Sequence, residues 1–76
     1  MITVKLYGLL RIESGIKEKQ LDVQSIKDMQ KELVTCGLSP KALSGCTILI
    51  NGKNGNARSK LKDGDTVVLM SPVAGG

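Results

Sequence analysis

The group in this sequence best suited to chemistry is a carboxylate at the end of the chain. The sequence finishes with Pro72-Val73-Ala74-Gly75-Gly76. Glycine has no Cβ and accepts almost any backbone angles, so two of them in a row can pass through a channel too narrow for side chains. A terminal carboxylate is an anion at neutral pH and can act as a nucleophile towards an activated phosphate. We therefore expect Gly76 to supply the reactive group and Pro72, Val73, Ala74 and Gly75 to contact a partner.

The remaining side chains offer little catalytic chemistry of their own. The sequence contains no histidine, and nine residues separate its two cysteines, Cys36 and Cys46. That spacing matches no zinc motif, and two ligands do not fill a tetrahedral site. Free cysteine behaves as a small hydrophobic residue, and disulfides are rare in the cytosol. We expect both thiols to be packed and inert, and the protein to hold no metal or cofactor itself.

Size and composition favour a role performed on a partner protein. A chain of 76 residues forms one small domain and rarely encloses a ligand pocket. The apolar share of 41% is too high for a disordered chain. No apolar run approaches the length of a membrane span, and the first residues lack the pattern of a signal peptide. We therefore predict a cytoplasmic protein without membrane contact.

The net charge of +4 raises the question of an acidic partner. Nucleic-acid binding is not expected, because Tyr7 is the only aromatic residue and single-strand binders use several for stacking. The densest basic stretch contains Lys53, Arg58, Lys60 and Lys62. It is either a solvated surface or a docking site for an acidic protein surface.

Alternation of apolar and polar residues predicts the first part of a sheet. Ile2, Val4 and Leu6 are separated by polar residues or tyrosine, which indicates a strand over residues 2–7 with one buried face. Residues 8–15 are predicted to be a loop. A second strand is predicted at about 17–23, and its closeness in sequence indicates a hairpin.

One amphipathic helix is predicted over residues 26–36. Ser25 is a suitable N-cap, with Asp28 three residues later completing an arrangement similar to a capping box. Gly37 suits the position after the helix, and Pro40 is expected to prevent the helix from resuming. The apolar stripe of this helix is Ile26, Met29, Leu33 and Val34.

The second half of the chain predicts further strands. Residues 46–50 form a third strand, and either Asn51-Gly52 or Asn54-Gly55 forms a type I′ turn to a short fourth strand. The apolar run over residues 66–70 predicts a central strand covered on both faces. Neither a helix nor a sheet buries its apolar side alone, so one main helix must cover one mixed sheet. We predict an α+β fold of the β-grasp (ubiquitin-like) kind with four to five strands, formed by residues 1–71, followed by a flexible Gly-Gly tail at 72–76.

Three motifs resemble the MoaD/ThiS family of ubiquitin-like sulfur carriers. The first is Tyr7-Gly8-Leu9-Leu10-Arg11, followed by Glu13 and Gly15. The second is Leu61-x-Asp63-Gly64-Asp65-x-Val67. The third is the terminal Pro72-Val73-Ala74-Gly75-Gly76. The resemblance covers essentially the whole chain and is greatest to MoaD, the small subunit of molybdopterin synthase.

This resemblance implies a cycle of sulfur transfer. A ubiquitin-activating-type adenylating enzyme uses ATP to convert the Gly76 carboxylate to an acyl-adenylate, and a sulfur donor converts that to a thiocarboxylate. A molybdopterin synthase large subunit, or another sulfur-acceptor enzyme, then consumes the sulfur. The chain would not be catalytic alone and would act as the small, sulfur-donating subunit.

The sequence differs from the MoaD pattern at several positions. Ser71 stands where that branch usually has a first proline, the first strand lacks its phenylalanines, and the segment between helix and third strand is short. Pro72 and the arginine loop still favour MoaD over ThiS. The alternatives are sulfur donation to the thiazole of thiamine or to another pathway, a ubiquitin-like protein modifier, and a binding module that uses the sheet face.

Overall fold

The computed structural model describes residues 1–71, which form five strands and three helices. In chain order these are β1 (Ile2–Tyr7), α1 (Leu9–Ser14), β2 (Glu18–Leu21), α2 (Ile26–Thr35), α3 (Pro40–Ser44), β3 (Thr47–Ile50), β4 (Lys53–Asn54) and β5 (Thr66–Met70). All five predicted strands are present. Two of the helices, α1 and α3, were not predicted.

The five strands form one mixed sheet in the order β2-β1-β5-β3-β4. β1 and β2 pair as an antiparallel hairpin, as predicted. β5 lies parallel to β1 and antiparallel to β3, so it occupies the centre of the sheet. The chain passes through α2 between the hairpin and these later strands, and this crossover brings β5 alongside β1 in the same direction. The predicted α+β architecture, with one main helix over a mixed sheet, is confirmed.

The core lies between α2 and one face of the sheet. Ile26, Met29 and Leu33 of α2 are fully buried, in agreement with the predicted stripe. Val34 is 40% exposed, so its inclusion in that stripe was wrong. Val34 follows Leu33 by one residue and is therefore rotated about 100° around the helix axis, away from the buried line. The sheet side of the core consists of Ile2, Val4, Leu6, Leu21, Ile48, Val67 and Leu69.

The boundaries of α2 follow the predicted capping residues. The Ser25 hydroxyl accepts a hydrogen bond of 3.1 Å from the backbone N–H of Asp28. The helix ends at Thr35, one residue before the predicted end. Gly37 has a φ of 111°, which side chains disfavour and glycine accepts.

Residues 9–14 form a helix, so the predicted loop over residues 8–15 was wrong. Gly8, which precedes α1, provides no capping side chain, and this absence removed the usual sequence signal for a helix start. Leu10 of α1 is fully buried in the common core. Packing of that side chain stabilises a turn of helix that would be marginal in isolation.

Pro40 was expected to prevent α2 from resuming, and α2 does end before it; Pro40 instead begins a separate helix, α3, which was not predicted. Ser39 is the N-cap and accepts a hydrogen bond of 3.2 Å from the backbone N–H of Ala42. Proline is tolerated in the first helical turn because its missing N–H would have no partner there. Leu43 then packs into the core.

The two-residue turn between β3 and β4 is Asn51-Gly52. Asn51 has a φ of 52° and Gly52 a φ of 84°, and a positive φ at both central residues is typical of a type I′ turn. Of the two dipeptides considered from the sequence, the first therefore forms the hairpin.

Only one face of β5 is buried. Val67 and Leu69 are fully buried, while Val68 is half-buried and Met70 is 37% exposed. The prediction that both faces of this strand are covered was therefore wrong. β-Branched and apolar residues favour strands on either face, so an uninterrupted apolar run does not require two covering layers.

Candidate functional site

The predicted reactive segment begins where β5 ends. Pro72, Val73, Ala74, Gly75 and Gly76 lie outside the described residues. The structure does locate the residue that precedes them, Ser71, directly after the central strand. β5 pairs with β1 on one side and with β3 on the other, so Ser71 follows the central strand of the sheet.

Ser71 contacts the turn that follows β1. The parallel ladder between β1 and β5 ends at the pair Tyr7 and Met70, one residue before Ser71. The Ser71 hydroxyl accepts a hydrogen bond of 2.8 Å from the backbone N–H of Leu9. No local sequence pattern predicts this contact, because 62 residues separate the two partners.

Gly8, at the N-terminus of α1, leaves space for the Ser71 hydroxyl. Gly8 has a φ of 68°, and a Cβ at this position would lie 2.3 Å from Oγ of Ser71. The Gly8 carbonyl accepts hydrogen bonds of 3.1 Å and 3.3 Å from the N–H groups of Arg11 and Ile12. Glycine is therefore required at position 8 for both its backbone angle and the close approach of Ser71.

An exposed sheet face lies next to the start of this segment. Tyr7 is 44% exposed and Met70 37% exposed, and the two are register partners on β1 and β5. Lys5, Val68 and Leu49 form the next row across β1, β5 and β3, and each is half-buried. We call these five residues the open face. It lies on the side of the sheet opposite α2.

The Asp63-Gly64-Asp65 turn joins the start of β5 to β1. The Gly64 N–H donates to the Met1 carbonyl at 2.8 Å, and the Thr3 N–H donates to the Asp65 carbonyl at 2.9 Å. The N-terminal amine of Met1 also pairs with the Asp63 carboxylate, and this hydrogen bond raises the pKa of the amine. Both partners are well exposed, so the pair contributes little to stability.

The Asp65 carboxylate links this turn to the β3–β4 turn. Its Oδ2 accepts a hydrogen bond of 2.8 Å from the Lys62 N–H, and its Oδ1 accepts one of 2.9 Å from Nδ2 of Asn51. Asn51 Oδ1 in turn accepts a hydrogen bond of 2.9 Å from the Thr66 N–H. These bonds, the Lys62 N–H first, hold the pKa of Asp65 below its ordinary value. The second motif noted in the sequence thus stabilises the start of β5.

Both cysteines are free thiols and half-buried. The Cys46 thiol donates to the Leu43 carbonyl at 2.9 Å, and burial raises the pKa of this thiol. A raised pKa keeps the thiol neutral and lowers its nucleophilicity. This environment supports a structural role for Cys46.

Within residues 1–71, no cluster of three or more His, Cys, Asp or Glu residues is arranged to hold a metal ion. The same part of the chain has no helix long and apolar enough to cross a membrane. The four basic residues Lys53, Arg58, Lys60 and Lys62 are all exposed, and their part in docking stays a prediction.

The strand order, the main helix and the chain direction at Ser71 define a β-grasp, ubiquitin-like protein. The model of the ThiS family matches residues 4–76, and the chain belongs to that family. It is thus a ubiquitin-like protein of the sulfur-carrier and modifier class. No curated protein matches the sequence closely enough to extend this comparison.

Solved structures with the same fold come from molybdopterin-converting factors and from small archaeal modifier proteins. Small archaeal modifier protein 1 from Methanosarcina acetivorans has a TM-score of 0.82 and 26% identity, with 99% of this chain and 95% of that chain covered. A Pyrococcus furiosus protein proposed to be subunit 1 of a molybdopterin converting factor has a TM-score of 0.80 and 23% identity, with 95% and 97% covered. A third comes from a Helicobacter pylori complex of subunits 1 and 2 of the molybdopterin-converting factor, with a TM-score of 0.72, 24% identity, and 99% and 97% covered.

Proposed function

We propose that this protein is the small, sulfur-donating subunit of a molybdopterin synthase-type complex and that the Gly76 carboxylate receives the sulfur. The observation that supports this role is the match over 99% of the chain to a structure from a complex of both molybdopterin-converting factor subunits. Membership of the ThiS family supports sulfur transfer in general. The molybdopterin acceptor is the further step of the proposal.

The reaction needs no catalytic side chain from this protein. A carboxylate oxygen of Gly76 attacks the α-phosphate of ATP on an adenylating enzyme of the ubiquitin-activating type, and pyrophosphate leaves. Hydrosulfide then attacks the acyl carbon, AMP leaves, and a thiocarboxylate remains. Pro72, Val73, Ala74 and Gly75 contact the enzyme while Gly76 lies in its active site. ATP is thus a substrate of the partner, and the carrier holds no cofactor.

We assign docking of the adenylating enzyme to the open face. Its exposed apolar residues, Tyr7 and Met70, lie at the end of the ladder from which the reactive segment departs. An enzyme that receives this segment must approach the same end of the sheet. Contact there buries apolar surface and gives affinity without any change in the core.

The second candidate is a protein modifier, in which Gly76 forms an isopeptide bond to a lysine. One observation favours it: a matching structure of 26% identity and TM-score 0.82 is a small archaeal modifier protein. Both candidates share the acyl-adenylate. The two candidates differ in the nucleophile that attacks the acyl-adenylate. It is hydrosulfide for the carrier and a lysine amine for the modifier.

The test uses intact-mass measurement of the full chain with the adenylating enzyme, ATP and sulfide. We expect the mass to rise by the difference between one sulfur and one oxygen atom. Deletion of Gly76 should abolish the change while circular dichroism stays the same, because residues 1–71 contain the core. Absence of any mass change in the wild-type chain would refute the carrier function.

Addition of acceptor enzymes identifies the pathway. With a molybdopterin synthase large subunit and its pterin precursor, the mass should return to that of the carboxylate as dithiolene forms. Reversal only with a thiazole synthase would place the protein in thiamine synthesis. Stable conjugates with lysines of other proteins, formed at the expense of the thiocarboxylate, would favour the modifier.

A further inference from the structure

The hydroxyl of Ser71 is a hydrogen-bond acceptor at the boundary between the sheet and the reactive segment. The first N–H groups of a helix have no acceptor within the helix. Ser71 Oγ accepts from one of these groups, the N–H of Leu9, at 2.8 Å. The side chain of a distant residue thus performs the capping function that Gly8 cannot provide for α1.

The contact between Ser71 and Leu9 holds the chain against the domain for one residue beyond the end of β5. The β1–β5 ladder ends at Tyr7 and Met70, so Ser71 is the first residue beyond it. Gly8 allows Oγ to approach the turn closely, since a Cβ there would lie 2.3 Å from that atom. Pro72 follows in the sequence, and proline disfavours helical backbone angles in the residue before it. Two restrictions therefore meet at Ser71: its hydrogen bond to the Leu9 N–H, and the limit that Pro72 sets on its backbone angles.

We propose that Ser71 is a positioning residue for transfer of the segment 72–76 into partner active sites. Its hydrogen bond to Leu9 fixes the point from which the segment leaves the domain. A fixed starting point reduces the freedom that must be lost when Gly76 enters an active site, so it strengthens productive binding. This inference rests on the proposed function and adds to it the residue that orients the segment.

The test measures steady-state adenylation with the full-length carrier as the varied substrate. Ser71→Ala removes the acceptor and should lower kcat/KM roughly fivefold, the equivalent of one hydrogen bond, mainly through a higher KM. Ser71→Thr retains a hydroxyl and should restore the wild-type KM. Hydrogen exchange of the Leu9 amide should be faster in Ser71→Ala and normal in Ser71→Thr.

Ser14→Ala is the matched control for a general effect on α1. The Ser14 hydroxyl donates to the Leu10 carbonyl at 2.8 Å and accepts from the Ile16 N–H at 3.1 Å, at the opposite end of α1 from Leu9. This variant should leave KM unchanged. An equal rise in KM for Ser14→Ala and Ser71→Ala would overturn the inference, because the effect would then be one of helix stability.

Other outcomes separate this inference from the proposed function. Normal adenylation of the wild-type chain with an unchanged KM for Ser71→Ala would refute the positioning role alone. A KM raised in Ser71→Thr, with the Leu9 amide still protected, would refute it as well. No adenylation of the wild-type chain would refute the carrier function and the positioning role together.

Discussion

At the scale of single residues, Asp65 contributes through hydrogen bonds to its ionised carboxylate. It accepts from the Lys62 N–H and from Asn51 Nδ2, and these bonds lower its pKa below the ordinary value of 3.8. A lowered pKa in the folded state means that the contribution to stability is present above pH 3.8. It is lost as the pH falls through the folded-state pKa.

Asp65→Ala should therefore destabilise the protein in a way that depends on pH. We expect the difference in unfolding free energy between wild type and variant to be constant near neutral pH and to shrink below pH 3.8. Urea unfolding at a series of pH values measures it. Glu32→Gln, which alters an exposed carboxylate of α2, serves as control. A difference that stays constant down to the lowest pH would show that the ionised carboxylate is not the stabilising form.

The two cysteines provide a second test at this scale. Cys46 donates to a backbone carbonyl and its pKa is raised by burial, so its thiol is a poor nucleophile. Joint replacement of Cys36 and Cys46 by alanine should leave thiocarboxylate formation largely intact, with some loss of stability from the smaller side chains. Loss of sulfur transfer in a variant that circular dichroism shows to be folded would contradict this prediction, because the sulfur would then pass through a thiol.

At the scale of elements, α2 and the sheet depend on each other for burial. The helix presents Ile26, Met29 and Leu33 to the sheet, and all three are fully buried. The neighbouring Val34 is 40% exposed on the same helix. Substitutions at Leu33 and Val34 thus allow a core position to be compared with a surface position one residue away on the same helix.

Leu33→Ala should lower the free energy of unfolding by about 2–5 kcal/mol, because it leaves a cavity beneath the sheet. Val34→Ala should change it by about 0.5 kcal/mol or less. Urea denaturation with a common m-value measures both. Equal losses for the two variants would mean that α2 packs on the sheet through a different face.

At the scale of the whole molecule, the two sides of the sheet differ in what covers them. α2 covers one side and closes the core, whereas the open face on the other side presents Tyr7 and Met70 at the end of the β1–β5 ladder, one residue before Ser71. Met70 and Val34 are almost equally exposed, at 37% and 40%, but Met70 lies on the open face and Val34 on α2, which covers the other side of the sheet. This arrangement allows docking to be tested separately from stability.

Met70→Glu should weaken binding of the adenylating enzyme about tenfold, because it places a charge among the apolar side chains of the proposed contact. Val34→Glu is the matched control and should bind as the wild type does. Isothermal titration calorimetry measures both, with thermal unfolding as the check on folding. Equal affinities for both variants would exclude the open face as the docking site.

Periodicity and turn chemistry were enough to predict most of the fold. The alternation of Ile2, Val4 and Leu6, the Ser25 cap and the apolar run after Asp65 are local signals, and each predicted its element to within a residue or two. The helices α1 and α3 could not be predicted in this way. Their short sequences depend on burial of Leu10 and Leu43 against residues distant in the chain.

Some features of the candidate site were likewise predictable from the sequence, and others depend on the tertiary structure. The sequence by itself determined the adjacent glycines Gly75 and Gly76, the family motifs and the absence of histidine, because these are matters of residue type and order. Only the tertiary structure decided that β5 is buried on one face and that Ser71 accepts from Leu9 across 62 residues. The physical reason is that burial and long-range hydrogen bonds depend on which elements pack together, and the β1–β5 pairing forms only when the whole chain has folded.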